Sequence, residues 1–169
     1  MNPLTALRLT ADEQTQPSLR VLVVDDQLLY AEAISVLLGQ QDGMGVVGIA
    51  SDGREAIEQA VALRPDVVLM DIRMPRLDGI SATRRIRRRL PGTRVVVMTG
   101  LTGDEHVERA LGAGADACIK KFSRAGDLVT AIEHSSEAHR GRATPPVRVA
   151  LASSESARAG ARGSPRSRR

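Results

Sequence analysis

Three observations predict an α/β fold built on a doubly wound, five-stranded parallel sheet with helices on both faces. Between residues 20 and 134, five short β-branched runs alternate with five stretches of helical period, as they do when covering helices join parallel strands. The runs are almost continuously apolar, which strands buried on both faces require. The chain's 169 residues suit one domain with tails better than two domains.

The first strand is RVLVV at 20–24, followed by a helix with Tyr30, Ala33, Ile34, Leu37 and Leu38 on one stripe. The second is MGVVGIA at 44–50, and Ala56, Ile57, Ala60 and Val61 mark the helix after it. DVVLM at 66–70 forms the third strand; its helix runs from about Gly79 to Leu90, keeping Ile80, Thr83, Ile86 and Leu90 on one side. RVVVM at 94–98 is the fourth. The spacing of Thr102 and Glu105 predicts a capping box opening the next helix, which continues through Val107, Ala110 and Leu111. The weaker run ACI at 117–119 is the fifth strand. Ser123 is the expected N-cap of a last helix bearing Ala125, Leu128, Val129 and Ile132 at i, i+3, i+4 and i+7.

Residues 19–134 are therefore read as one domain, with a disordered extension over 1–18 and a basic disordered tail over 135–169. The tail has one Leu, two Val and no aromatic residue among Arg, Ser, Ala, Gly and Pro, too little apolar surface to offset the entropy of ordering. It also explains the charge. Eight Arg and two Glu give the tail +6, whereas residues 1–134, with 16 basic and 18 acidic residues, carry −2, so the overall +4 is poor support for specific nucleic-acid binding. A single cysteine, Cys118, excludes an internal disulfide framework and a zinc site built on cysteine pairs. With neither a spanning apolar run nor a signal-peptide pattern, the expectation is a cytoplasmic protein with no membrane partner.

In an open parallel sheet, ligands bind beyond the carboxyl ends of the strands. Polar residues converge there: Asp25 and Asp26 after the first strand, Asp71 after the third, Thr99 after the fourth, Lys120 and Lys121 after the fifth. Three carboxylates at one edge repel unless a cation neutralises them, and hard oxygen donors suit Mg²⁺. Metal, carboxylate, hydroxyl and ammonium together are what phosphoryl transfer needs, with a carboxylate as nucleophile. Asp71 is central among the candidates. Thr99 can donate to a phosphoryl oxygen, and the small Gly100 leaves room for that group.

The segments VLVVDDQLLYAEAISVLL, VVLMDIRMPRLDG, VVVMTG and ALGAGADACIKK resemble, in order, the acidic-pair, phosphoacceptor, hydroxyl and lysine segments of two-component response-regulator receiver domains. The similarity covers residues 19 to about 134 and is closest to members with a helix-turn-helix output domain. It implies a flavodoxin-like receiver fold, Asp71 as phosphoacceptor, Thr99 as switch hydroxyl, and Lys121, rather than Lys120, as the lysine in register. It further implies Mg²⁺ held directly by Asp26, Asp71 and the Arg73 carbonyl, with Asp25 assisting through water. Two positions depart from the family pattern. Cys118 stands where an aromatic residue usually precedes the lysine by three, and Phe122 follows the lysine where Pro or Asp is common. The Cys118 departure implies intact phosphorylation chemistry with altered coupling to the output face.

Other features have simpler readings. The Arg84, Arg85, Arg87, Arg88 and Arg89 cluster reads as a solvated helix face, His106 as helix surface and Cys118 as a buried structural thiol. LGAGAD at 111–116 lacks the spacing and preceding strand of a dinucleotide loop.

The leading function is a receiver, with a sensor histidine kinase as partner and homodimerisation possible. It would not be an enzyme beyond its own Mg²⁺-dependent phosphorylation and dephosphorylation. The alternative is a DNA-binding transcriptional response regulator whose output module is truncated or frameshifted: that module needs roughly 60 further residues, and 22 Arg against 2 Lys hints at GC-rich coding. A small-molecule aspartyl phosphatase ranks low, because Arg73 occupies the place of the second acid.

Overall fold

The computed structural model describes residues 19–100, 104–137 and 147–148. The expected extension over 1–18, the cap residue Thr102 and most of the expected tail lie outside the described residues. Five parallel strands, β1 (Leu19–Val24), β2 (Met44–Ala50), β3 (Val67–Asp71), β4 (Arg94–Thr99) and β5 (Ala117–Lys120), alternate with α1 (Leu28–Gly39), α2 (Gly53–Leu63), α3 (Gly79–Arg89), α4 (Asp104–Gly112) and α5 (Ala125–Glu137). A two-residue strand, β6 (Val147–Arg148), pairs with β5 through Ala117 and Cys118. The sheet order is β2-β1-β3-β4-β5-β6. The sequence pattern predicts five strands and places 147–148 in a disordered tail; two residues hold no periodicity from which a strand can be read.

Strand alternation divides the core in two. On one face Leu22, Val24, Val68, Met70, Val95, Val97 and Cys118 pack against α2, α3 and α4 through Ala56, Ile57, Ala60, Ile80, Ile86 and Ala110. On the other, Val21, Val23, Leu69, Val96, Met98, Ala117 and Ile119 meet α1 and α5 through Ala31, Ile34, Leu38, Leu128 and Ile132. Ile80, Thr83, Ile86 and Leu90 are all buried. Three predicted stripe residues, Ala33, Val61 and Ala125, are exposed. On α1 the buried face is Ala31, Ile34 and Leu38, so the core contact falls on Ala31 rather than Ala33. Ser123 does not cap α5; its hydroxyl donates to the Lys120 carbonyl at 2.7 Å, and the Asp127 and Leu128 amides bond to the Arg124 carbonyl.

Candidate functional site

β1 leads to β2 on one side of the sheet and β3 lies on the other, so the carboxyl ends of β1 and β3 flank the point where the strand order reverses. Asp25 follows β1 and Asp71 is the last residue of β3. Carboxylate oxygens of Asp25, Asp26 and Asp71 lie within 4.8 Å of one another. The Lys121 ammonium, its side chain 6% exposed, reaches across from β5. It stands 2.8 Å from Asp71 Oδ2, 2.8 Å from Asp25 Oδ2 and 3.1 Å from Asp25 Oδ1. Of the two lysines, it is Lys121 that enters the acid cluster.

The backbone fixes these groups. The Asp25 amide bonds to the Ala50 carbonyl at 3.0 Å, and Asp25 Oδ1 accepts the Gln27 amide at 2.9 Å. Asp71 Oδ1 accepts the Arg73 amide at 3.4 Å, which leaves Oδ2 to Lys121. Thr99 ends β4, buried, one residue beyond the Asp71–Met98 register pair; its carbonyl accepts the Lys121 amide at 2.8 Å. Asp26 and Arg73 are exposed at the rim.

The electrostatics follow from burial. Desolvation raises the Asp71 carboxyl above its ordinary value and the Asp25 charge adds to this, although Lys121 opposes both. Burial alone would lower the Lys121 ammonium, but its hydrogen bonds and charge contacts with Asp25 and Asp71 outweigh that and raise it. Three carboxylates face one ammonium, so fully ionised they leave an excess of two negative charges. The donor set is all oxygen. Both facts fit a hard divalent cation held by Asp25, Asp26 and Asp71.

The loop from β3 to α3 contributes residues that sequence reasoning passed over. The Gly79 amide bonds back to the Ile72 carbonyl at 2.9 Å, so tightly that a Cβ there would lie 1.8 Å from the Asp71 carbonyl oxygen. Glycine is thus dictated by close approach to the backbone of Asp71. At Gly100, by contrast, the one contact a Cβ would make among the described residues is with Lys121 Cδ at 4.0 Å, an ordinary van der Waals distance. Arg76, at φ +63°, pairs with buried Asp52, the N-cap of α2. The Glu55 amide foremost, with Arg76 and the Arg54 amide, holds the Asp52 carboxyl below its usual range against the effect of burial.

His106 is not simply surface: it is half-buried with Nδ1 enclosed, and it lines an open cleft of about 570 Å³ with Asp26, Arg73, Pro75, Asp78 and Arg109. Cys118 is buried as expected, its Sγ 4.0 Å from the Val107 carbonyl of α4, and burial pushes the thiol up to about 11.

Fold and site together define a receiver-type α/β protein, with acids from two adjacent strand ends joined by a lysine from a third. A family model described as the response regulator receiver domain matches residues 21–133, and the chain belongs to that family. It is 40% identical over 114 residues to the response regulator protein VraR of Staphylococcus saprophyticus, covering 68% of this chain and 54% of VraR. The chain thus spans about half the length of the curated relatives it matches. Among solved structures, a LuxR-family two-component response regulator from Aurantimonas is 34% identical with a TM-score of 0.68, over 74% of this chain and 87% of that one. The signal receiver domain of the putative response regulator NarL from Mycobacterium tuberculosis gives 34% and 0.68, over 72% and 98%. The protein is a receiver of the two-component response regulators, and no helix among its described residues is long and apolar enough to cross a membrane.

Proposed function

We propose that this receiver accepts a phosphoryl group on Asp71 from the phosphohistidine of a sensor histidine kinase. The observation that carries the reading is the Lys121 ammonium, 2.8 Å from both Asp71 and Asp25 within the acid cluster. An Asp71 carboxylate oxygen attacks phosphorus, the P–O bond forms as the P–N bond to imidazole breaks, and the imidazole leaves with that electron pair. Lys121 balances charge on the incoming group, and the Thr99 hydroxyl donates to a phosphoryl oxygen. Mg²⁺ would be held by Asp26, Asp71 and the Arg73 carbonyl with Asp25 assisting, and would supply neutralisation of the phosphoryl oxygens. Water attack on the acyl phosphate returns Asp71 to its resting state.

Leu28, Leu29 and Phe122, 59%, 82% and 73% exposed, lie on the segments that carry Asp25 and Lys121 and support docking of an apolar kinase surface beside Asp71. Once formed, the acyl phosphate draws Thr99 and Lys121 inward and shifts the population toward a different α4-β5-α5 surface. Incubation with acetyl phosphate and Mg²⁺ should add one phosphate to the wild type and none to Asp71→Asn. An unchanged wild-type mass under forcing conditions overturns the reading.

A transcriptional output is a second reading, supported by the greater length of the curated relatives and by the LuxR-family neighbour. Translating the DNA that follows the coding segment in all three frames tests it, and finding no helix-turn-helix there counts against it.

A further inference from the structure

Tyr30, on α1, makes two contacts with the turn that carries the site lysine. Its hydroxyl oxygen accepts the Phe122 amide at 3.2 Å, and its ring centroid lies 5.3 Å from the Lys121 ammonium, within cation–π range. Phe122 itself needs holding. Its φ of +62° is in the left-handed region that a bulky residue occupies only when its surroundings impose it. Core packing does not impose it, since Phe122 is 73% exposed and touches Tyr30 edge-on with centroids 4.9 Å apart. What holds the turn is polar: the Ser123 amide on the Lys120 carbonyl at 3.3 Å, the Ser123 hydroxyl on the same carbonyl at 2.7 Å, and, on the Phe122 amide itself, the Tyr30 hydroxyl.

We propose that Tyr30 is a positioning residue for Lys121, bracing the turn after β5 through the Phe122 amide so that the ammonium stays aimed at Asp71 and Asp25. The effect on phosphorylation rests on the reading of Asp71 as phosphoacceptor; the brace does not. A tyrosine that only filled space between α1 and the sheet would be replaced by phenylalanine without consequence.

The test uses the full chain and the Tyr30→Phe variant, which keeps the ring and loses the acceptor. Loss of one neutral hydrogen bond speeds exchange of the Phe122 amide by about two- to tenfold and slows phosphorylation by acetyl phosphate in the same range. Mg²⁺ affinity, titrated by backbone amide shifts without phosphodonor, does not weaken, because the acids keep their places and a looser ammonium competes less. Phe122→Gly in the Tyr30→Phe background restores the phosphorylation rate, glycine holding a positive φ without a brace. Unchanged exchange in Tyr30→Phe overturns the proposal, as does Mg²⁺ affinity that falls with the rate, or failure of the glycine rescue. If wild-type Asp71 takes no phosphate, the proposed function falls, while amide exchange and the Mg²⁺ titration still decide the role of Tyr30.

Discussion

Gly79→Ala puts a methyl group where a Cβ would lie 1.8 Å from the Asp71 carbonyl oxygen, and real Cβ atoms essentially never come within 3.0 Å of such an atom. The start of α3 and the end of β3 must therefore separate by about 1.2 Å, too far for the 2.9 Å bond from the Gly79 amide to the Ile72 carbonyl to survive. Losing that bond in a buried setting costs about 1–3 kcal/mol. Strain on the neighbouring Asp78 cap, which accepts the Ser81 amide at 2.9 Å, costs up to about 1 kcal/mol more. Alanine's helix preference returns about 1 kcal/mol, leaving a net loss of about 2 kcal/mol. With a slope of about 2 kcal/mol per molar, the urea midpoint falls by about 1 M at unchanged slope. Gly126→Ala is the control. It is the same change in α5, where a Cβ meets nothing within 4 Å among the described residues, and it should leave stability unchanged or raise it by about 0.5 kcal/mol. A Gly79→Ala midpoint within about 0.2 M of wild type, against that slope, would refute the steric argument.

The Asp52 carboxyl is held below its ordinary range, so its stabilising contribution is complete above the unfolded carboxylate value near 4 and is lost as pH falls through the lower folded value. Asp52→Ala should cost about 1–2 kcal/mol at pH 7 and little near pH 2, as read by urea melts at both; a pH-independent cost would show that packing, not charge, is what was removed. Cys118 should resist a thiol-specific disulfide reagent at pH 7.5 in the native protein and react once unfolded, because the site is buried and its thiol is pushed up to about 11. Fast native labelling would contradict that burial. Cys118→Tyr should strengthen the response of α4 and α5 amide shifts to a phosphoryl mimic; if wild type responds as strongly, altered coupling at this position is wrong.

How much of this was legible in the sequence depended on the range of the signal. Strands such as VVLM and RVVVM announce themselves because burial on both faces leaves no polar alternation to confuse the reading, and all five lie within a residue or two of where the pattern put them. Helix faces are less legible: Val61 and Ala125 fit the period yet are exposed, because periodicity gives the direction of a stripe and not how far along it the covering contacts reach. The acid cluster is legible because topology brings strand ends together, which names Asp25, Asp71 and the pair Lys120 and Lys121; the family resemblance then selects Lys121. The supporting contacts were not. Nothing local in Arg76, Gly79 or Tyr30 announces partners 24, 8 and 92 residues away in sequence, at Asp52, Asp71 and Phe122.

The placement of Tyr30 has an optical consequence. The chain has one tyrosine and no tryptophan, so when the phenol band is excited, the emission of the whole molecule comes from a ring 5.3 Å from the Lys121 ammonium. Phenol emission responds to nearby charge and to the hydrogen bonding of its hydroxyl, both of which change if Lys121 swings toward a new anion on Asp71. Occupation of the site can therefore be followed in real time on the unlabelled protein, with no indole background from the aliphatic core.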